Sequence, residues 1–192
     1  MSNTNTARPA SKNGMNISKH TGVQASETVL ILQGGGSLGA YECGVYKSLH
    51  KRGIKFDIVA GTSIGAINAT IIACAKSDPI KDLESFWLDL ADGVTLPNLP
   101  YNVRSRFSAM YSTVFGNPNA FFPKWFIPSA DYFFPFLWPY LYDKTPLKNT
   151  LNKYVDFKKL REPNSPRLIV TSTDIENARP SIFDSMYDNI TA

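Results

Sequence analysis

The stretch Val29-Leu30-Ile31-Leu32-Gln33-Gly34-Gly35-Gly36-Ser37-Leu38-Gly39, with its sequel Phe56-Asp57-Ile58-Val59-Ala60-Gly61-Thr62-Ser63-Ile64-Gly65, decides the fold. Each half is a short apolar run, rich in β-branched residues and leucine, that ends in glycine and opens onto a helical pattern. Strands are expected over Thr28 to Leu32 and Phe56 to Ala60. Between them Leu38 to Arg52 reads as a helix, closed by Gly53 where a left-handed cap residue is wanted. This order implies two parallel neighbouring strands with both turns at one edge of the sheet. Open α/β sheets carry their active sites at that edge.

Gly61-Thr62-Ser63-Ile64-Gly65 fits the Gly-x-Ser-x-Gly nucleophile elbow. A serine on a tight strand-to-helix reversal needs almost no side chain two residues before and two after, and Gly61 and Gly65 meet that demand. The following helix, Ile64 to Lys76, carries the small residues Gly65, Ala66, Ala69 and Ala73, which allow close packing on a sheet. Its amino end points unpaired amides at Ser63, where negative charge develops in acyl transfer. Ser63 is therefore the candidate nucleophile. Consecutive glycines let bare backbone approach a ligand, so the amides of Gly34, Gly35 and Gly36, with that of Ile64, are candidate oxyanion donors.

At these residues the chain resembles the patatin-like phospholipase family. Gly34, Gly36 and Gly39 match its Gly-x-Gly-x-x-Gly turn, and Gly61, Ser63 and Gly65 match its serine motif. Ala40 to Leu49, Phe56-Asp57 and Ala66-Ile67-Asn68-Ala69 are similar to the surrounding family sequence, as are Thr145-Pro146-Leu147, Asp156-Phe157 and Arg167 to Thr173 further on. The resemblance implies an α/β three-layer sandwich with a mainly parallel central sheet. It also implies hydrolysis of acyl-lipid esters, phospholipid or lysophospholipid, by a serine–aspartate dyad rather than a triad. With no cluster of ligand residues in the sequence, no metal or cofactor is expected. The family's aspartate lies in Asp-Gly-Gly or Asp-Gly-Ala, and nothing after Thr173 matches it. Asp92-Gly93 comes too early and is expected to end a helix, while Asp174, Asp184 and Asp188 lack a following glycine. The aspartate is thus expected beyond Ala192, in a longer protein. A fold-retaining lipid-binding or regulatory module without catalysis is the other reading.

Alternative chemistries fit less well. A dinucleotide site wants an acid at the end of the second strand, where Ala60-Gly61-Thr62-Ser63 stands instead. No Gly-Lys-Ser or Gly-Lys-Thr supplies a nucleotide-hydrolase phosphate loop. The two histidines, His20 and His50, fall in the amino-terminal tail and near the end of the first helix, away from the strand-end edge, so a triad within this chain is not expected. Cys43 and Cys74 have no metal or redox spacing and read as buried free thiols of a reducing compartment. A net charge of +4 serves solubility or attracts anionic lipid head groups. Without a dense basic cluster, nucleic acid is not an expected partner.

The remaining chain suggests a leader over 1–26, disordered by composition, and a domain over 27–192. Neither a secretory signal nor a spanning helix is evident, so the expected place is the cytoplasm, with peripheral membrane contact; oligomeric state is left open. Ile80 to Ala91 reads as an amphipathic helix with Leu83, Phe86, Trp87 and Leu90 on its core face. Within 97–144 aromatic residues crowd a segment broken by five prolines between Tyr101 and Tyr142, expected as a cap subdomain, an interfacial lid, or both. Thr145-Pro146 starts a helix running to Tyr154, and Leu168 to Thr171 is expected to be a central strand. Past Asp174 no closing element is expected.

Overall fold

The structure, a computed structural model, describes residues 26–92, 117–123 and 142–191. The main sheet contains β1 (Val29–Leu32), β2 (Ile58–Thr62), β5 (Arg167–Asp174) and β6 (Arg179–Asp184), in the order β1-β2-β5-β6. Short strands β3 (Phe122–Pro123) and β4 (Tyr142–Asp143) form a separate antiparallel ladder. Strands β1, β2 and β5 are parallel, with Leu32 opposite Gly61 and Gly61 opposite Val170. Asp57, leading the second strand, holds the start of this register: its carboxylate accepts the Thr28 amide at 2.7 Å. The expected α/β fold with a mainly parallel sheet is present, and β5 is interior as its apolar run suggested.

The chain past Asp174 differs from expectation. It does not trail off but returns as β6, antiparallel to β5, with Val170 opposite Phe183 and Asp174 opposite Arg179. Pro180 stands near its start, at the outer position of the described sheet, where a missing N–H breaks no interior ladder. The reversal is tied by Asp174, whose carboxylate accepts the amides of Glu176 (3.0 Å) and Asn177 (3.2 Å) and the Asn177 side-chain amide (2.7 Å).

Among the described residues the α-helices are α1 (Gly39–Lys51), α2 (Ile64–Cys74), α3 (Pro79–Asp92) and α4 (Thr145–Tyr154). Gly53 closes α1 at φ 77°, its N–H donating to the His50 carbonyl at 2.9 Å. Helix α2 ends at Cys74, two residues before the expected Lys76, because Ala75 turns extended and bridges to Val155 beyond α4. Asp78 caps α3, accepting the Lys81 amide at 2.9 Å, with Pro79 in the first turn, where its missing N–H costs nothing. Asp92 is the last residue of α3, as expected for a helix end.

Successive parallel strands are added in one direction from β1 to β2 to β5, so right-handed crossovers put both helical connections on the same face. On that face α2 is buried from Asn68 to Cys74, between the sheet and helices α1 and α3. Val59 and Leu168 from the sheet meet Ile71 from α2 and Leu83 and Phe86 from α3, all fully buried. Burying one such side chain contributes about 1.5–3 kcal/mol. Trp87 and Leu90 complete the expected face of α3. Cys43 and Cys74 are free and buried, and burial pushes the Cys74 thiol up to about 12. On the opposite face Val29, Ile31 and Ile182 are exposed, and the second helical layer of a sandwich is not among the described residues. Residues 1–25 of the leader, and all of the aromatic segment between Tyr101 and Tyr142 except residues 117–123 and Tyr142 itself, also lie outside them.

Arg167 at the start of β5 grips Asp184 at the end of β6 through both carboxylate oxygens, and this contact holds the Asp184 carboxyl below the usual carboxylate range. A depressed carboxyl stabilises the fold above its unfolded value near about pH 4 and loses that contribution as pH falls through the folded value. Arg167→Leu should therefore lower stability at neutral pH and leave it nearly unchanged in strong acid, narrowing the difference between urea midpoints. Equal losses under both conditions would remove the ion pair from hairpin stability.

Candidate active site

Ser63 stands between β2 and α2 with φ 53° and ψ −123°. A non-glycine residue held there costs about 1–3 kcal/mol, so the surroundings must enforce it. The enforcing contacts are backbone against backbone. A Cβ on Gly61 would lie 2.2 Å from the Gly65 carbonyl oxygen, and one on Gly65 would lie 2.4 Å from the Leu32 oxygen and 2.6 Å from the Gln33 oxygen. The first turn of α2 is thus pressed onto the last strand residue of β1. The Ser63 carbonyl accepts the amides of Ala66 (3.0 Å) and Ile67 (3.3 Å), while its exposed side chain makes no capping bond. The Ile64 amide finds no acceptor among the described residues.

The glycine turn runs alongside. A Cβ on Gly34 would sit 3.2 Å from the Ser63 Cβ, so bare backbone faces the serine there. A Cβ on Gly39 would strike Trp87 at 2.7 Å and Ile64 at 2.8 Å. Gly36 takes φ 58° in open space and starts a single 3-10 turn, Gly36–Leu38, leading into α1. Among the described residues no acceptor takes the amides of Gly34, Gly35 or Gly36. Untaken backbone donors on both sides of an exposed hydroxyl can stabilise negative charge on a carbonyl oxygen under attack.

A set of contacts that sequence inspection did not single out joins the two turns. The Gln33 amide donates to Glu42 Oε1 at 2.8 Å, and Asn68 Nδ2 donates to Glu42 Oε2 and to the Gly39 carbonyl, both at 2.9 Å. Trp87 Nε1 donates to Asn68 Oδ1 at 3.1 Å, and Asn68 is fully buried. The available signal was an asparagine in the middle of a mostly apolar helix, one turn after Ile64.

Other residues weighed from the sequence stand elsewhere. Asp174 is at the strand-end edge, but its carboxylate is occupied by the hairpin turn, and Asn177 holds its carboxyl below the usual range. Asp184 is paired with Arg167, and Asp188 accepts the Asp184 amide at 2.8 Å. His50 lies in the last turn of α1, against the Tyr46 ring. Among the described residues no three of His, Cys, Asp and Glu gather as a metal site would need, and no helix is long and apolar enough to cross a membrane.

A mainly parallel sheet with a serine turn and a glycine turn side by side at its carboxyl edge places both where open α/β sheets hold their sites. The family model for patatin-like phospholipase matches residues 30–190, and the chain belongs to that family. It is similar to a lysophospholipase of Aspergillus terreus, 50% identical over 98 residues, covering 46% of this chain and 6% of that protein. A lysophospholipase of Meyerozyma guilliermondii is 33% identical over 119 residues, covering 54% of this chain and 8% of the relative. Patatin-like phospholipase domain-containing protein 7 of Rattus norvegicus is 37% identical over 82 residues, 41% of this chain and 6% of that protein. The chain therefore spans under a tenth of the length of these relatives. Among solved structures, VipD from Legionella pneumophila aligns with TM-score 0.43 and 16% identity over 84% of this chain and 40% of that one.

Gly65→Ala should separate the two turns, because its methyl group meets backbone oxygens that cannot swing aside. Thermal unfolding followed by circular dichroism should show a loss of several degrees or no folded protein; a melting temperature equal to that of the parent would show that α2 does not need this contact.

Proposed function

We propose that this chain carries the nucleophile and the oxyanion hole of a lipid acyl-ester hydrolase of phospholipase A or lysophospholipase type. The observation that carries the proposal is Ser63 at φ 53°, its side chain exposed, without a hydrogen bond among the described residues, and faced by the backbone of Gly34. In this mechanism Ser63 Oγ attacks the ester carbonyl carbon while an aspartate from outside these 192 residues removes its proton. The carbonyl oxygen, now carrying the negative charge, is held by the amides of the Gly34 to Gly36 turn and of Ile64. Collapse of the tetrahedral intermediate expels the alcohol, which takes up a proton, and leaves an acyl-serine that water hydrolyses to regenerate Ser63 and release the fatty acid. Names of relatives support the substrate class: two of those above are lysophospholipases. The site is assigned to a cytoplasmic protein that meets its lipid peripherally at a membrane surface, consistent with a net charge of +4.

Labelling of the natural full-length protein with a fluorophosphonate, followed by peptide mapping, tests the assignment. One adduct on Ser63 is expected, and Ser63→Ala should abolish both labelling and hydrolysis of lysophosphatidylcholine while the circular dichroism spectrum stays the same. Hydrolysis that survives in Ser63→Ala would end the nucleophile assignment. Absence of both labelling and hydrolysis in the parent protein would favour a lipid-binding module instead.

A further inference from the structure

Both ends of the glycine turn are anchored to α2 through one buried amide. Asn68 lies one helical turn after Ile64, so the two side chains share the face of α2 that meets the turn. Its Nδ2 group spends both hydrogens there, one on the Gly39 carbonyl at the end of the turn and one on Glu42. Glu42 in turn accepts the amide of Gln33, the residue just before Gly34. Trp87 from α3 donates to the remaining Oδ1, which fixes which way the Asn68 amide faces. An unsatisfied amide at a fully buried position is costly, and here both Nδ2 hydrogens and the Oδ1 of the side chain are engaged.

We infer that Glu42 and Asn68 are positioning residues for the oxyanion hole, setting the gap between the glycine-turn amides and the Ile64 amide. This rests on Ser63 acting as the nucleophile. Neither side chain touches the reacting atoms. They act by holding two sets of donors, from two different elements, at one separation. A displacement of the order of 1 Å between such donors and the oxygen they serve costs about a hundredfold in rate. Trp87 backs the arrangement, locking the Asn68 amide and packing its ring on Gly39.

The test uses the natural full-length protein and a short-chain p-nitrophenyl ester, with active serine counted by fluorophosphonate titration. Glu42→Gln puts an NH2 group in front of one of its two donors, and Asn68→Ala removes the link to Gly39. Each should lower kcat per titrated serine by about ten- to a hundredfold with KM changed less than about twofold, since the donors act on the transition state. Trp87→Phe keeps a ring over Gly39 and removes only the Nε1 donor, so its loss should have the same direction and be smaller. Glu42 is half-buried and its replacement isosteric, so Glu42→Gln carries the test if Asn68→Ala does not fold. Normal kcat per titrated serine in Glu42→Gln, even with fewer titratable serines, would overturn the inference and leave these residues a purely structural role. Ser63→Ala run alongside separates the two failures: hydrolysis surviving there would bring down the nucleophile itself.

Discussion

The structure depends on two places where a side chain would not fit. Gly61 faces the backbone of Gly65, and Gly65 faces the carbonyl oxygens of Leu32 and Gln33, all at distances that exclude a methyl group. Because the backbone of α2 can approach β1 and β2 this closely, Ser63 is forced into its unfavourable torsion and the glycine turn is brought beside it. The large apolar residues then fill in behind. Ile71, Leu83 and Phe86 are packed on Val59 and Leu168 on one side of the sheet, and their burial supports the torsion that the elbow strains.

Much of this was legible because it is encoded in residue type at short range. Glycine at 61 and 65, the run Gly34 to Gly36, and Gly53 after the first helix each answer a local steric demand, so the strand–turn–helix units could be placed to within a residue or two. Thr145-Pro146 likewise announced a helix start. What escaped notice depends on partners far apart in the chain. Glu42 reads as one more charged residue on a helix, and Trp87 reads as a core residue, until the fold brings both to Asn68. Strand β6 is of another kind: Pro180 is disfavoured in an interior strand, and only its outer position in the ladder makes room for it. The end of α2 moved because Ala75 found a bridge to Val155, a contact that no local preference foretells.

The candidate site is also divided among elements in a way the motifs alone do not convey. The glycine turn belongs to the β1–α1 connection and the serine to the β2–α2 connection, so neither half is complete without the parallel pairing of β1 with β2. A one-residue slip in that pairing would turn Leu30 and Leu32 away from the core and move the turn along the strand axis by about 3.3 Å. Register, chosen by core packing and by the Asp57 contact to Thr28, is therefore also what sets the geometry of the site.

The strained elbow has a consequence for the freedom of the serine. With φ and ψ held by glycine contacts on both sides, the place of the Ser63 oxygen is governed by χ1 alone. That torsion has three staggered wells, so choosing one costs at most RT ln 3, about 0.6 kcal/mol. For the proposed nucleophile, most of the search for an attacking geometry would thus be completed during folding, and an ester would meet a hydroxyl with one remaining rotation to make.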